Sequence, residues 1–196
     1  MELDHFKEYI KSHSESEIYH EFLLGQLVWF FLNNGEDHSS DYDEFKKFIS
    51  KNLNIPFNNI SIVGSAKTRF SLSPNKLLKE FDEDSDFDLI IVSNSIFKDL
   101  SLAYRKISSE RHLHNYNGKS SNVFNGFVSI KDSDKTYGNE SLISWQRLIR
   151  TFKSQLKIKF NIQHDINYRI YSDWRSVEDY HLKGIRKLKG IIDETN

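Results

Sequence analysis

The sequence predicts an α+β fold in which helices pack on a β-sheet. Three observations support this prediction. Short apolar runs that suit buried strands occur at 60–63 and 86–92. Apolar residues recur every three or four positions over 140–156, which is typical of an amphipathic helix. They alternate with polar residues over 157–171, which is typical of a half-buried strand.

The N-terminal quarter of the chain is predicted to be helical. A first helix is expected around Phe6, a second over 17–32 and a third over 41–53, because apolar residues recur there at helical spacing. With 196 residues the chain suits one domain. The predicted domain, 1–196, divides into an N-terminal helical scaffold (1–54), a sheet (55–175) and a C-terminal helix (176–196).

The stretch from Asn59 to Val92 contains the main candidate site. Gly64 and Ser65 end the first strand, and a glycine there lets the backbone turn tightly and bring its amides close to a bound anion. Asp86 and Asp88 are two residues apart on the next strand, so they share a face. Two neighbouring carboxylates favour a cation between them, and oxygen ligands favour Mg²⁺. The pattern indicates a phosphate-binding turn opposite a metal site.

A simpler interpretation of this stretch stays open. The turn at Gly64 and Ser65 can be an ordinary strand-to-helix connection, with Asp84, Asp86 and Asp88 forming a solvated edge. The nearly continuous apolar run around these carboxylates argues against that interpretation. Ionised carboxylates are rarely placed in a buried strand without a partner.

The middle of the chain has weaker signals. A helix is predicted over 96–107, a mobile polar loop over 108–122 and a strand over 123–130. After these elements, the strand predicted over 157–171 has one polar face with a single carboxylate, Asp165.

The last helix is predicted to begin at a capping box of Ser176 and Asp179. It carries four basic residues that form either a patch near phosphates or a plain solvated face: Lys183, Arg186, Lys187 and Lys189.

Composition excludes several classes of protein. The 27 Lys and Arg residues nearly balance the 28 Asp and Glu residues, so no global attraction to nucleic acid is expected. There is no cysteine, which excludes disulfides and cysteine-ligated zinc. The apolar runs are shorter than the roughly 20 residues of a membrane span, and the N-terminus lacks the pattern of a signal peptide. We therefore expect no membrane span and a cytoplasmic location.

The Val63-Gly64-Ser65 turn followed by the Asp86-x-Asp88 strand resembles the signature of the DNA polymerase beta-type nucleotidyltransferase superfamily. The spacer between the two motifs is longer than in compact members. The resemblance implies a mixed β-sheet and two Mg²⁺ ions, for which Mn²⁺ can substitute.

The same resemblance assigns roles to individual residues. A third acidic ligand is expected from a later strand, and Asp165 is the position assigned to it, with Asp173 as the fallback. The catalytic and metal-binding set is then Asp86, Asp88 and Asp165. Nucleotide binding is expected from Gly64, Ser65 and Lys67.

The implied activity is template-independent transfer of NMP or dNMP from a nucleoside triphosphate, expected to be ATP or dATP, to a hydroxyl. The motifs and the strand around Tyr168 look like small bacterial anti-phage nucleotidyltransferases, including the Hailong type. That likeness implies a short oligonucleotide product and a partner effector protein. Tyr180 is the candidate primer hydroxyl, although an ordinary packing role also suits it.

Two other functions stay open. An antitoxin-type enzyme that adenylylates a partner protein would use the same carboxylates. A catalytically inactive nucleotide-binding sensor is the second alternative.

Overall fold

The computed structural model describes residues 2–34 and 38–194, and it confirms the α+β class. Its sheet has four strands: β1 (Ile60–Val63), β2 (Phe87–Val92), β3 (Phe127–Val128) and β4 (Ile166–Tyr171). The strand order is β1-β2-β4-β3. The sheet is mixed, because β2 and β4 are parallel while the two outer pairs are antiparallel. All four strands fall within the predicted range 55–175.

Helices surround this sheet along the whole described chain. They are α1 (Leu3–Ser12), α2 (Glu15–Tyr19), a π-helix (His20–Leu24), α3 (Trp29–Asn34), α4 (His38–Leu53), a 3-10 turn (Phe57–Asn59), α5 (Ser65–Thr68), α6 (Asn94–Glu110), α7 (Tyr116–Phe124), α8 (Glu140–Lys159) and α9 (Trp174–Glu194). Within the described residues, none of these helices is long and apolar enough to cross a membrane.

The sheet is covered on both faces because side chains alternate along each strand. One face packs against α4, α6 and α8 through Ile60, Ile62, Leu89, Ile91, Tyr168 and Ile170. The other face packs against α1, α2 and α9 through Val63, Ile90, Val92 and Tyr171. Each fully buried aliphatic or aromatic side chain contributes about 1.5–3 kcal/mol relative to an exposed one. The two apolar layers therefore hold the strands at the centre of the molecule.

The single helix predicted over 17–32 is wrong, because the chain breaks at Gly25. The α2 helix passes into the π-helix, and the Gly25 amide donates to the His20 carbonyl at 2.9 Å. A Cβ atom at Gly25 would lie 2.3 Å from the Glu21 carbonyl oxygen. Only a glycine fits where the backbone leaves the helix this closely.

The strand predicted over 157–171 is also wrong in its first half. The α8 helix continues to Lys159, and the Phe160 amide donates to the Leu156 carbonyl at 3.0 Å. Basic residues near a helix C-terminus interact favourably with its dipole, which suits Lys157 and Lys159. The strand β4 consequently begins only at Ile166.

Two predictions for the middle of the chain need correction. The polar segment 108–122 is not simply a loop, because most of α7 lies in it. The helix is anchored by Lys119, which is buried and lies 2.9 Å from the Asp134 carboxylate. The strand predicted over 123–130 is reduced to the two residues of β3.

The last helix begins at Trp174, two residues before the predicted range. The Asp173 carboxylate accepts a hydrogen bond from the Ser176 amide at 2.7 Å, so Asp173 is the cap in place of the predicted Ser176 and Asp179 box. This bond and those from Ser172 and Arg175 lower the pKa of Asp173. Residues 195 and 196 of the predicted helix lie outside the described residues.

The position of α9 on the sheet depends on a contact with α1. The Lys189 ammonium group donates to the Ile10 carbonyl at 2.9 Å and also to the His13 carbonyl. These carbonyls are at the C-terminal end of α1, where backbone oxygens lack intrahelical partners. Lys189 therefore caps one helix from another.

Replacing Lys189 by methionine should lower the free energy of unfolding by roughly 1–3 kcal/mol, because partly buried carbonyls would lose their donor. Urea denaturation followed by circular dichroism measures this change. Lys106→Met, on an exposed position of α6, is the matched control and should change the value by less than about 0.5 kcal/mol. Equal effects of the two substitutions would contradict the capping role.

Candidate functional site

A cavity of about 530 Å³ opens on the face of the sheet that α9 covers. It lies where β1 ends and where β2 and β4 begin. Five residues predicted from the sequence line it: Gly64, Ser65, Asp86, Asp88 and Tyr180. A larger cavity of about 760 Å³ borders the start of β1, but it contains neither the Gly64 turn nor the acidic pair. The smaller cavity is therefore the candidate active site.

The turn and the acidic strand are in direct contact. Val63 pairs with Asp88 across the antiparallel β1 and β2 strands. Gly64 has φ +74° and ψ −164°, a conformation that is essentially restricted to glycine. A Cβ atom there would lie 2.9 Å from Asp88 Oδ2. Glycine is required both by the backbone conformation and by the carboxylate beside it.

The acidic pair has the geometry that the alternation predicted. Asp86 immediately precedes β2 and Asp88 lies within it, so the two side chains face the same cavity. Burial raises the pKa of Asp88, and the charge of Asp86 raises it further, while Arg169 and Lys76 lower it. The ionised form of Asp88 is therefore disfavoured unless a cation is bound nearby. Two carboxylates with these properties suit Mg²⁺, which prefers oxygen ligands.

The structure does not bring Asp165 to this pair. Asp165 precedes β4, and its side chain is 88% exposed with one carboxylate oxygen 3.1 Å from Lys157 Nζ. Among the residues in 2–34 and 38–194, no three acidic or histidine side chains come close enough to hold a metal ion. The fallback, Asp173, caps α9. The expected third carboxylate is thus missing from the described cavity.

Two residues that sequence analysis did not select stand in its place. Asn167 pairs with Asp88 in the parallel β2 and β4 register, and Arg169 follows two residues later on the same face. Both line the cavity. The Arg169 guanidinium lies 5.6 Å from the centre of the Phe127 ring and 5.3 Å from that of Tyr180. The alternation over 157–171 placed both residues on the polar face, and that signal was sufficient to select them.

Three lysines also line the cavity. Lys76 comes from the loop before β2, and Lys183 and Lys187 come from α9. The predicted basic patch of α9 is therefore divided. Its other members point elsewhere, since Lys189 caps α1 and Arg186 lies 3.9 Å from Glu15.

Lys67 has a different environment from the predicted one. Its ammonium group is buried and donates to the Leu23 carbonyl at 2.6 Å, and Lys67 does not line the cavity. Burial lowers the pKa of Lys67 to about 7, and the charge of Lys46 lowers it further. Leu23 does line the cavity, so Lys67 stabilises a residue of the cavity wall without lining the cavity itself.

Two neighbouring α9 residues, Tyr180 and His181, complete the cavity wall. The Tyr180 ring packs edge-on against Phe127 at 5.1 Å, so its packing role coexists with access to the cavity. The His181 Nε2 atom is buried and has no hydrogen-bond partner within the described part of the chain. Burial and the charge of Arg169 lower the pKa of His181 to about 3. The imidazole is therefore neutral near pH 7.

Comparison of the chain with protein-family models, characterised proteins and solved structures finds no match. The chemistry of the cavity is thus the basis for assigning a function.

Replacing Asp88 by asparagine should stabilise the metal-free protein by an amount on the order of 1 kcal/mol at pH 7, because a buried charge beside Asp86 is removed. Because the pKa of Asp88 is raised in the folded protein, the ionised carboxylate destabilises the fold above that pKa. This destabilisation disappears as the pH falls through the folded-state pKa. The difference in stability between Asp88→Asn and the wild type should therefore become smaller as the pH is lowered. Thermal unfolding in EDTA between pH 7 and pH 4 measures it, and Asp165→Asn is the exposed control. A destabilised Asp88→Asn protein at pH 7 would contradict the assigned environment.

Lys67 should make the free energy of unfolding increase with pH above 7. Its pKa is about 7 in the folded chain against an ordinary 10.5, so the unfolded chain binds more protons between these values. Urea denaturation at pH 7 and pH 9 should show this increase in the wild type and a smaller one in Lys67→Met. Lys106→Met serves as the control. If the free energy of unfolding depended on pH identically in the wild type and in Lys67→Met, a buried environment that lowers the pKa of Lys67 would be excluded.

Proposed function

We propose that the protein is a metal-dependent nucleotidyltransferase that transfers NMP or dNMP from a nucleoside triphosphate to a hydroxyl and releases pyrophosphate. One observation carries this proposal: the acidic pair lies beside the Gly64 and Ser65 turn in a cavity that also contains four basic side chains. Neighbouring carboxylates favour a bound cation, and clustered basic groups favour bound phosphates. A metal-bound nucleoside triphosphate satisfies both requirements.

The residues present fit a divalent cation, because Asp86 and Asp88 provide carboxylate oxygens on one face and the half-buried Asp88 favours a positive neighbour. These two residues would hold Mg²⁺ or Mn²⁺. The bound ion would supply charge neutralisation at the phosphates. Mg²⁺ sites that use one or two carboxylates together with substrate phosphates are common in nucleotide enzymes.

The chain's own groups would orient the triphosphate. The glycine at position 64 allows a close approach of phosphate oxygens to the turn, and Ser65 lies beside it. Lys76, Lys183 and Lys187 would neutralise the outer phosphates. The acceptor hydroxyl would release its proton to solvent as its oxygen bonds to the α-phosphorus. The bond from that phosphorus to the bridging oxygen breaks, and pyrophosphate leaves. Positioning and electrostatic stabilisation provide most of the acceleration in such a reaction.

The acceptor is proposed to be a hydroxyl without a template. A cavity of about 530 Å³ is in the size range of small-ligand sites. We propose ATP or dATP as donor and a short oligonucleotide as product, acting as an anti-phage signal for an effector protein, on the resemblance to Hailong-type enzymes. Tyr180 lines the cavity, which supports its proposed role as the first acceptor.

One observation favours a second candidate, a nucleotide-binding sensor without turnover. The described cavity holds two carboxylates, whereas the resembled enzymes are expected to use three. The sensor would bind a metal-bound nucleotide through the same residues.

Incubation of the purified protein with each labelled NTP and dNTP and Mg²⁺, resolved on a denaturing gel, tests the proposal. We expect a metal-dependent product, reduced roughly 100-fold or more by Asp86→Ala or Asp88→Ala because each removes a metal ligand. Asp165→Ala, which removes an exposed carboxylate outside the cavity, is the matched control and should retain more than about half of the activity.

Other products of this experiment would change the assignment. Label found only on a co-expressed partner protein would favour the antitoxin-type adenylyltransferase. Nucleotide binding without incorporation of label would favour the sensor. Strong loss with Asp165→Ala would restore the three-carboxylate prediction.

A further inference from the structure

We infer that the site operates with a single divalent ion and that Arg169 supplies the second positive charge. This inference rests on the proposed function and specifies how its site is built. It follows from the residues that face Asp88 across the parallel β2 and β4 strands.

The ligand count is the first argument. Asp86 and Asp88 supply two carboxylates, and the β4 residue paired with Asp88 is Asn167, a neutral amide. The acidic residue that immediately precedes that strand, Asp165, is exposed and paired with Lys157. A hard divalent cation is held chiefly by charged oxygen ligands. A second ion in this cavity would find no carboxylate of its own among the described residues.

The placement of Arg169 is the second argument. It follows Asn167 on the same face, lies near enough to influence the pKa of Asp88, and lines the cavity. A second divalent ion there would be repelled by the guanidinium group. The same group attracts phosphate oxygens, for which its planar set of donors is well suited.

The surroundings of Arg169 fix its side chain without neutralising it. The guanidinium lies near both the Phe127 and Tyr180 rings, and the Tyr171 hydroxyl lies beside it. Within the residues that the structure describes, Arg169 forms no ion pair with a carboxylate. A half-buried cation held in this way is preorganised for an anion that arrives with the substrate.

Counting bound Mn²⁺ tests the number of ions without turnover. Electron paramagnetic resonance would measure Mn²⁺ bound per protein at saturating concentration of a non-hydrolysable nucleoside triphosphate analogue. We expect one Mn²⁺ in the wild type and one in Asp165→Asn. Two ions in the wild type would overturn the inference, and a drop from two to one in Asp165→Asn would identify Asp165 as the missing ligand.

Variants of Arg169 test its role through two opposite effects. Arg169→Gln should weaken binding of the analogue about tenfold or more, because a charged phosphate contact is lost. It should strengthen binding of Mn²⁺ alone about threefold, because a repelling charge is removed. Arg169→Lys keeps the charge and should leave Mn²⁺ binding nearly unchanged. Weaker binding of both ligands in Arg169→Gln, with a lower melting temperature, would indicate a structural role and overturn the inference.

These measurements separate the two proposals. If the wild type binds no triphosphate analogue in the presence of Mn²⁺, the proposed function fails and the inference fails with it. If it binds the analogue together with two ions, the proposed function stands and only the single-ion inference is overturned.

Discussion

The close approach of Gly64 to Asp88 is the constraint on which the site depends. A Cβ atom at Gly64 would lie 2.9 Å from Asp88 Oδ2, and the backbone there is in a region restricted to glycine. The antiparallel register sets Val63 opposite Asp88 and so fixes how far the turn projects over the strand. The turn and the carboxylate thus form one unit. Their relative position is set by the backbone pairing of the two strands and does not depend on long, flexible side chains.

Charge explains why this unit faces a cavity. Asp88 is half-buried beside Asp86, and both the burial and the neighbouring charge raise its pKa. A fold selected only for stability would place an apolar side chain there, as it does at Leu89 and Ile90. A bound cation would offset this cost, since opposite charges in a partly dehydrated site interact strongly. The basic side chains in the same cavity would repel a lone cation, but they would complement a cation that carries a triphosphate.

Local patterns in the sequence were sufficient for the parts of the site that depend on neighbouring residues. The period of two along β2 correctly placed Asp86 and Asp88 together, and the glycine correctly marked the turn. The α+β class followed from the same periodicities. Lys67 illustrates the limit: it is close to the turn in sequence, but the short α5 helix directs it toward the Leu23 carbonyl. That carbonyl comes from a distant segment, and no local pattern specifies such a contact.

The position of Asp165 depended on where a helix ends. The alternation over 157–171 is compatible with a strand, but the continuation of α8 to Lys159 delays β4 to Ile166. Asp165 then lies before the strand and pairs with Lys157, which is in the last turn of that same helix. The residues that do face Asp88 from β4 are an amide and a guanidinium. The side chains that face Asp88 from β4 are therefore neutral or positive, where the sequence pattern predicted a carboxylate. Sequence patterns locate the ends of helices and strands only to within a few residues, and the register that pairs Asp88 with Asn167 is a contact between distant segments that no local pattern specifies.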